Sequence, residues 1–555
     1  MTKDRANSAN PIVLRRGVGI GSGNAESDDE FLINCFIDYP PVDLARRFGS
    51  PGMILAGRTG AGKTAILRQI EEFSEHSAVL DPFDMAMSYV ANSDALRFLH
   101  AIGADLDLLF QVLWKHVLCI EFIRLRFNVD NSEKSESIFD KISNYFNKDE
   151  RKARAISYLK EWEGKFWITM DQNIKELTEG FEKKIHAEAG VDLDKFKAGG
   201  QYEKRMSTEK KSEIVSRIKK IVSQEQLSEL HSVIDALSIF ENGDAMKGYY
   251  ILIDRLDERW VDDDVRFRLI KALIECLRSF RKITNLKILV ALRSDVLERV
   301  VQETSDISFQ REKFEDYKID LKWSKGDLRS LIEKRLNFLF KRQYTNSVIG
   351  YTDVFPDHIG QKDSFDWILE RTLMRPRDVI AFVNECIDAS DGNSVITVNA
   401  VRKAEVEFAR KRRDSVLQEW KSAFPTLDKL MSTITKGSRW SCELSELCDE
   451  DGAIDEFCLT ICGDKQIAND PLFPVCHARI TGKGVDDFKV VQEAAAILYR
   501  TGVVGLKLNS QDRMHYAHLD SPLVSPDMLT RNTRIRLHPM FWAAYNLQGQ
   551  AERTQ

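Results

Sequence analysis

The sequence predicts an α/β fold in which parallel strands alternate with helices. Two observations carry that expectation. From about residue 50 to residue 340, short apolar runs of strand length recur between amphipathic helical stretches, and such alternation gives a parallel sheet with its ligand at the carboxyl edge. The first of these runs, Met53-Ile54-Leu55-Ala56, also leads directly into Gly57-Arg58-Thr59-Gly60-Ala61-Gly62-Lys63-Thr64, and a helical pattern (Ala65, Ile66, Leu67, Ile70, Phe73) leaves it.

That turn fits in full the pattern of Gly, four residues, then Gly-Lys-Thr. The chemistry requires this spacing. Glycines let the backbone curl so that successive N–H groups face phosphate oxygens. Lys63 then reaches the β- and γ-phosphates, the Thr64 hydroxyl joins a Mg²⁺ shell, and the following helix turns its N-terminus to the anion. The stretch predicts nucleoside triphosphate binding.

Length and composition set the outer bounds. At 555 residues the chain is too long for one core, so three or four units are expected. It is 43% hydrophobic and 30% charged, as in an ordinary globular protein. A formal net charge of −6 gives no global attraction to nucleic acid, so any such binding needs a local patch. No apolar run reaches a membrane span, and the N-terminus lacks a signal-peptide core. Nine scattered cysteines argue against a disulfide framework. These features predict a cytoplasmic protein that does not enter membranes.

In chain order, residues 1–28 are polar and rich in Gly, Ser and Asn, which reads as a flexible lead-in. Phe31–Ile37 begins the structured part, Ala78–Asp81 is a short strand, and Asp84 to about Phe127 is helical in spacing. Residues 130–240 are charged, helical and poor in strand signals, with Lys183-Lys184, Lys204-Arg205, Lys210-Lys211 and Lys219-Lys220 among glutamates. This block reads as an insertion with solvated faces. Tyr249-Tyr250-Ile251-Leu252-Ile253 is a strand ending in Asp254, the pattern that supplies a magnesium-side acid, with Asp257 and Glu258 close behind. A helix over 264–281, a strand over 286–292 ending in Arg293, a strand over 317–321 and a helix over 325–340 complete the alternation. Residues 365–413 form a helical unit containing Arg375-Pro376-Arg377-Asp378 and ending in Arg410-Lys411-Arg412-Arg413. Near the end, helix 490–499 precedes Val503–Leu508 and Met514–Leu519, which bracket a polar turn and suggest a winged helix.

Taken together, the Gly57–Thr64 loop, the Ile251-Leu252-Ile253-Asp254-Arg255-Leu256-Asp257-Glu258 segment, strand-end Arg293 and the Arg375-Pro376-Arg377-Asp378 helix start resemble the STAND and AAA+-related ATPases. These lie within the additional-strand class of phosphate-loop proteins. More narrowly, the chain resembles a bacterial group described only as P-loop ATPases, some relatives of which are linked to antiviral defence. The resemblance implies a P-loop core in two parts (29–129 and 241–345) around the 130–240 insertion. A helical lid (346–415) follows, then a connector and winged-helix-like domain (416–555).

The resemblance further implies that Gly57 through Thr64 hold ATP, and that Thr64 and Asp254 hold Mg²⁺. It puts Arg293 where a strand-end residue senses the γ-phosphate, and Arg375 or Arg377 where a lid arginine reaches back to nucleotide. Many of these ATPases carry a water-orienting acid immediately after the strand aspartate. This chain has Arg255 there, so Asp257 or Glu258 must supply that role, or hydrolysis is slow. Structural readings stand beside these: Arg293 could pair with Asp295 or Asp254, and the lid arginines could hold the lid without touching nucleotide.

A zinc site from Cys442, Cys448, Cys458, Cys462, Cys476 and His477 lacks paired short Cys–Cys spacings. Helix 490–499 carries few cations for a DNA-reading helix. The expectation is therefore an ATP-hydrolysing switch acting through self-association or a protein partner. A DNA-associated regulator and a nucleotide-bound scaffold without turnover are the alternatives.

Overall fold

The computed structural model describes residues 12–82, 106–127, 227–238, 247–258, 263–303, 315–341 and 348–547, except for 422, 449–451, 465–466, 468–469 and 522, together with isolated positions between 179 and 216. The chain divides into two compact units. One comprises Asp38–Arg58 and Gly62–Leu321; the other comprises Met1–Ile37, Thr59–Ala61 and Lys322–Gln555.

The first unit is built on five strands: β1 (Ile54–Gly57), β2 (Ser77–Leu80), β3 (Tyr249–Ile253), β4 (Leu286–Arg293) and β5 (Lys318–Asp320). Their order is β2-β3-β4-β1-β5, and every pairing is parallel. The three inner strands are almost wholly buried, which explains why they read as continuous apolar runs rather than alternating ones. Helices α1 (Lys63–Phe73), α2 (Asp107–Phe127), α3 (Leu227–Leu237), α4 (Asp263–Phe280) and α5 (Ser294–Glu303) accompany the sheet. Trp114 of α2 is fully buried and donates Nε1–H to the Leu269 carbonyl of α4 at 2.9 Å. The parallel α/β expectation holds.

Most of the 130–240 block lies outside the described residues, as do residues 83–105. Helix α3 lies inside that block, yet Leu230, Val233, Ile234 and Leu237 join the core of the first unit. At least this part of the block is buried rather than a solvated face, because its apolar spacing gives α3 a face to pack.

The second unit contains α6 (Lys325–Lys341), α7 (Pro376–Asp388) and α8 (Val398–Trp420). Between them lies the two-residue hairpin of β6 (His358–Ile359) and β7 (Lys362–Asp363). Its last part is a four-stranded sheet, β8 (Ser441–Glu443), β9 (Val504–Lys507), β10 (His515–Tyr516) and β11 (Arg534–Leu537), in the order β10-β9-β11-β8. Helix α9 (Asp487–Thr501) enters this sheet through Gly502, whose φ of +81° suits a residue without Cβ. The expected hairpin is present, with β9 and β10 antiparallel.

Two expected boundaries are corrected. Residues 12–28 are not a loose lead-in, since Ile12, Leu14 and Ile20 are buried in the second unit's core. Backbone bonds from Leu14 N to Asn393 O and from Gly392 N to Leu14 O, both 2.9 Å, tie the segment down. The core also ends at Leu321 rather than near 345. The reason is the apolar face of α6 (Leu328, Leu331, Ile332, Leu336), which packs in the same cluster as Phe31 and Cys35.

Candidate functional site

The glycine-rich loop leaves the carboxyl end of β1 and turns into α1. Gly60 and Gly62 sit at φ +80° and +98°, where a side chain would be strained. A Cβ on Gly60 would also lie 2.7 Å from Arg377 Cβ. Among the described residues, the N–H groups of Thr59, Gly60 and Gly62 find no protein acceptor. The Thr59 hydroxyl is likewise buried without a partner. Donors without protein acceptors at a helix start are the arrangement that suits an anion.

Lys63 opens α1 and is only 9% exposed. Its ammonium donates to the Gly57 carbonyl at 3.1 Å and the Arg58 carbonyl at 3.3 Å. The next residue, Thr64, places its hydroxyl beside the Asp254 carboxylate, close enough to draw the acid's pKa down. Asp254 directly follows β3, and burial raises its pKa above the usual carboxylate range, against the opposing effect of that hydroxyl. Thr64 and Asp254, far apart in sequence, therefore meet at the carboxyl edge of the sheet.

The remaining acids sit in the turn after Asp254. Arg255 adopts φ +62°, and its N–H donates to Asp254 Oδ1 at 2.9 Å. Its guanidinium holds both Glu258 oxygens, at 3.0 and 3.2 Å, and donates to Asp81 Oδ2 at 2.9 Å. Arg266 Nη1 donates to the Glu258 carbonyl at 2.9 Å and the Asp257 carbonyl at 3.4 Å, which fixes the turn's backbone. Arg293 pairs in register with Gly57 across β1 and β4. Its guanidinium makes two bonds to Asp295, at 2.9 and 2.8 Å, and lies 4.0 Å from Asp257. The Asp295 pairing is therefore the one present.

The second unit contains the loop tip Thr59–Ala61 and the lid arginines. Pro376 at the first turn of α7 fixes its start. Arg375, immediately before it, is 3% exposed. It donates to Thr59 O at 2.6 Å and Asp378 Oδ2 at 2.7 Å, with Glu419 at 3.5 Å. Burial opposes its charge, but Asp378 and Glu419 outweigh that and push its pKa up. Arg377 N–H donates to Gly60 O at 3.4 Å, and its Nε donates to Gly23 O at 3.2 Å. Trp323 Nε1 donates to Ala61 O at 2.8 Å. Asp81, Arg266 and Trp323 escaped the sequence reading. Of these, only Asp81 had a local signal, as the acid ending a short strand.

The basic run at the end of the helical unit is internally neutralised. Arg410 pairs with Glu407, Lys411 with Glu385, Arg412 with Asp378 and Arg413 with Asp414. In the last sheet, Arg534 pairs with Glu443, and Lys489 of α9 pairs with Glu493 and Asp527. Of the cysteines, Cys458 and Cys476 are close neighbours. Among the described residues, no group of three or more His, Cys, Asp or Glu side chains is gathered for a metal. No described helix is long and apolar enough to cross a membrane.

Residues 326–417, from α6 through most of α8, match the family described as the FunZ-associated C-terminal helical domain. The described residues of that stretch are largely helical, with the β6–β7 hairpin between α6 and α7. The chain is 22% identical over 331 residues to the 80.3 kDa protein named for transposon gamma-delta of Escherichia coli (strain K12). The alignment covers 59% of this chain and 43% of that protein, so the chain spans less than half of that relative's length. No solved structure matches.

Proposed function

We propose that this chain binds ATP with Mg²⁺ at Gly57–Thr64 and hydrolyses it as a molecular switch of the STAND/AAA+-related kind. One observation carries the reading: the Thr64 hydroxyl after the glycine loop meets the Asp254 carboxylate at the end of β3. Strand order adds support, since β4 is an additional strand between loop strand β1 and acid strand β3. The pair fits the metal, being two hard oxygen donors with an under-compensated buried acid; Mg²⁺ needs few protein ligands and keeps water and phosphate oxygens besides. When bound, the ion neutralises charge on the phosphates.

The protein's part is positioning. Loop N–H groups and Lys63 hold the β- and γ-phosphates, which requires the ammonium to leave the Gly57 and Arg58 carbonyls. Asp257 or Glu258 orients a water, whose oxygen attacks the γ-phosphorus. The bond to the β-bridging oxygen breaks, leaving ADP and phosphate, while the water's proton passes to the carboxylate. Arg293 stands beside the loop's first residue to stabilise the γ-phosphate charge.

The output passes to a second copy of the chain or a protein partner, in a bacterial setting that includes antiviral defence. The name of the transposon-associated relative favours a DNA-associated regulator as a second reading, but the carboxylates paired with the basic run and with α9 weigh against a phosphate-binding patch. A scaffold that binds ATP without turnover is distinguished by phosphate release.

Lys63→Ala tests the assignment, because it removes the ammonium that the reading assigns to the β/γ-phosphates. Equilibrium dialysis should show loss of tight ATP binding; equal affinity in mutant and parent would sink the site.

A further inference from the structure

We infer that Arg255 is a latch that holds Glu258 away from the reacting water, so that its release sets the rate of turnover. The inference rests on the ATPase reading above. It starts from an arginine in a left-handed conformation, φ +62°, directly after the metal-side acid. A residue with a Cβ is uncommon there and costs free energy to hold. Something must hold it.

Among the described residues, polar contacts converge on the side chain. The guanidinium grips both oxygens of Glu258 and reaches Asp81 at the end of neighbouring strand β2. A carboxylate with both oxygens committed to a planar guanidinium is poorly placed to accept a proton from water. Yet the pair is reversible. Arg255 and Glu258 are 43% and 45% exposed, and an ion pair that open to solvent is weak. The turn keeps a second set of contacts without this latch, because Arg266 bonds the Asp257 and Glu258 carbonyls. Removing the Arg255 side chain should therefore free the acid without collapsing the turn. Asp257, 16% exposed and beside Arg293, is not gripped in this way.

The test is phosphate release at saturating ATP by the full chain carrying Arg255→Gly, with glycine suited to the positive φ. Turnover should rise about fivefold with little change in KM, since the latch acts on the acid rather than on nucleotide binding. Arg255→Asn, which also tolerates a left-handed backbone, should rise likewise and guards against a folding defect peculiar to glycine. Arg255→Gly combined with Glu258→Gln should fall to the rate of Glu258→Gln alone. Unchanged or lower turnover in both Arg255 variants, with folding intact by circular dichroism, overturns the latch. So does a double variant that keeps the raised rate, which would place the effect outside Glu258. The parent reading is tested separately by Lys63-dependent ATP binding. If that binding is absent, the ATPase reading fails and the latch falls with it; if it is present, these outcomes judge the latch alone.

Discussion

Arg375 Nη1 donates to the Thr59 carbonyl at 2.6 Å, so this guanidinium fastens the backbone of the glycine loop. It does so while 3% exposed and bonded to Asp378, which is fully buried. Removing one partner of a buried pair leaves the other uncompensated, at a cost of about 3–5 kcal/mol. Arg375→Gln should therefore lower the unfolding free energy by about 3 kcal/mol in urea titrations. Adding Asp378→Asn should cost less than the sum of the two single changes, because they share one interaction. Additive losses would remove the coupling.

Asp254 offers the opposite balance between stability and activity. Its raised pKa, caused chiefly by burial, means that folding disfavours its charged form. Protonation thus stabilises the fold as pH falls through the raised pKa, and above that pKa the ionised acid is a burden. Asp254→Asn should leave thermal stability at neutral pH unchanged or raised. Mg²⁺-dependent phosphate release should drop at least tenfold or so, the scale of a positioned catalytic group, with nucleotide binding affected less. A drop in melting temperature with hydrolysis intact would contradict both parts.

Lys287 gives a pH signature of its own. It is fully buried in β4 and donates to Arg47 O at 3.1 Å and Ser50 O at 3.0 Å. Burial, helped by nearby Arg281, pushes its pKa down to about 8. Between that value and the ordinary lysine range the unfolded chain binds more protons, so stability rises with pH through that window. The rise corresponds to about 3 kcal/mol at 1.36 kcal/mol per unit. Lys287→Met should flatten it in denaturant titrations from pH 7 to 10.5. An identical slope in the variant would refute the assignment.

The switch reading predicts that ATP, and not ADP, changes the assembly state. Light scattering of Glu258→Gln with Mg²⁺ and ATP, with ADP and without nucleotide is the measurement. A higher mass with ATP alone is expected. One mass under all three conditions, with binding confirmed, leaves an ATPase of constant assembly. The Arg410–Arg413 face, expected as a contact, is paired with carboxylates of its own unit, so exchanging those pairs is the cost any such contact must meet.

What could be read from the sequence was whatever local order specifies. The buried strands announced themselves as unbroken apolar runs, and Asp254 as the acid closing one of them. The loop announced itself through glycine spacing. The rest depends on partners distant in the chain. Ile12 and Leu14 lie in a polar, glycine-rich stretch, and their burial follows from backbone pairing with residues 392 and 393. Lys287 interrupts an apolar run, and only the Arg47 and Ser50 carbonyls explain how it is tolerated there. Arg410–Arg413 reads as exposed charge because two of its acids, Asp378 and Glu385, belong to another helix. Arg255 looked like a departure from a motif, and its grip on Asp81 could not be seen from its neighbours.

The position of β4 between β1 and β3 bears on how the molecule acquires its site. Loop and acid are carried by strands that never pair with each other, so neither organises the other by local contact. They come into register only when β4 has paired on both of its edges. Such long-range pairing is slow to form, because loop closure precedes any reward from contact. Forming α1 with Lys63 does not by itself bring Asp254 to the loop. If nucleotide binds at loop and acid together as proposed, it draws the population by mass action toward molecules whose central strand is seated, and its binding during refolding reports completion of the sheet rather than formation of the loop.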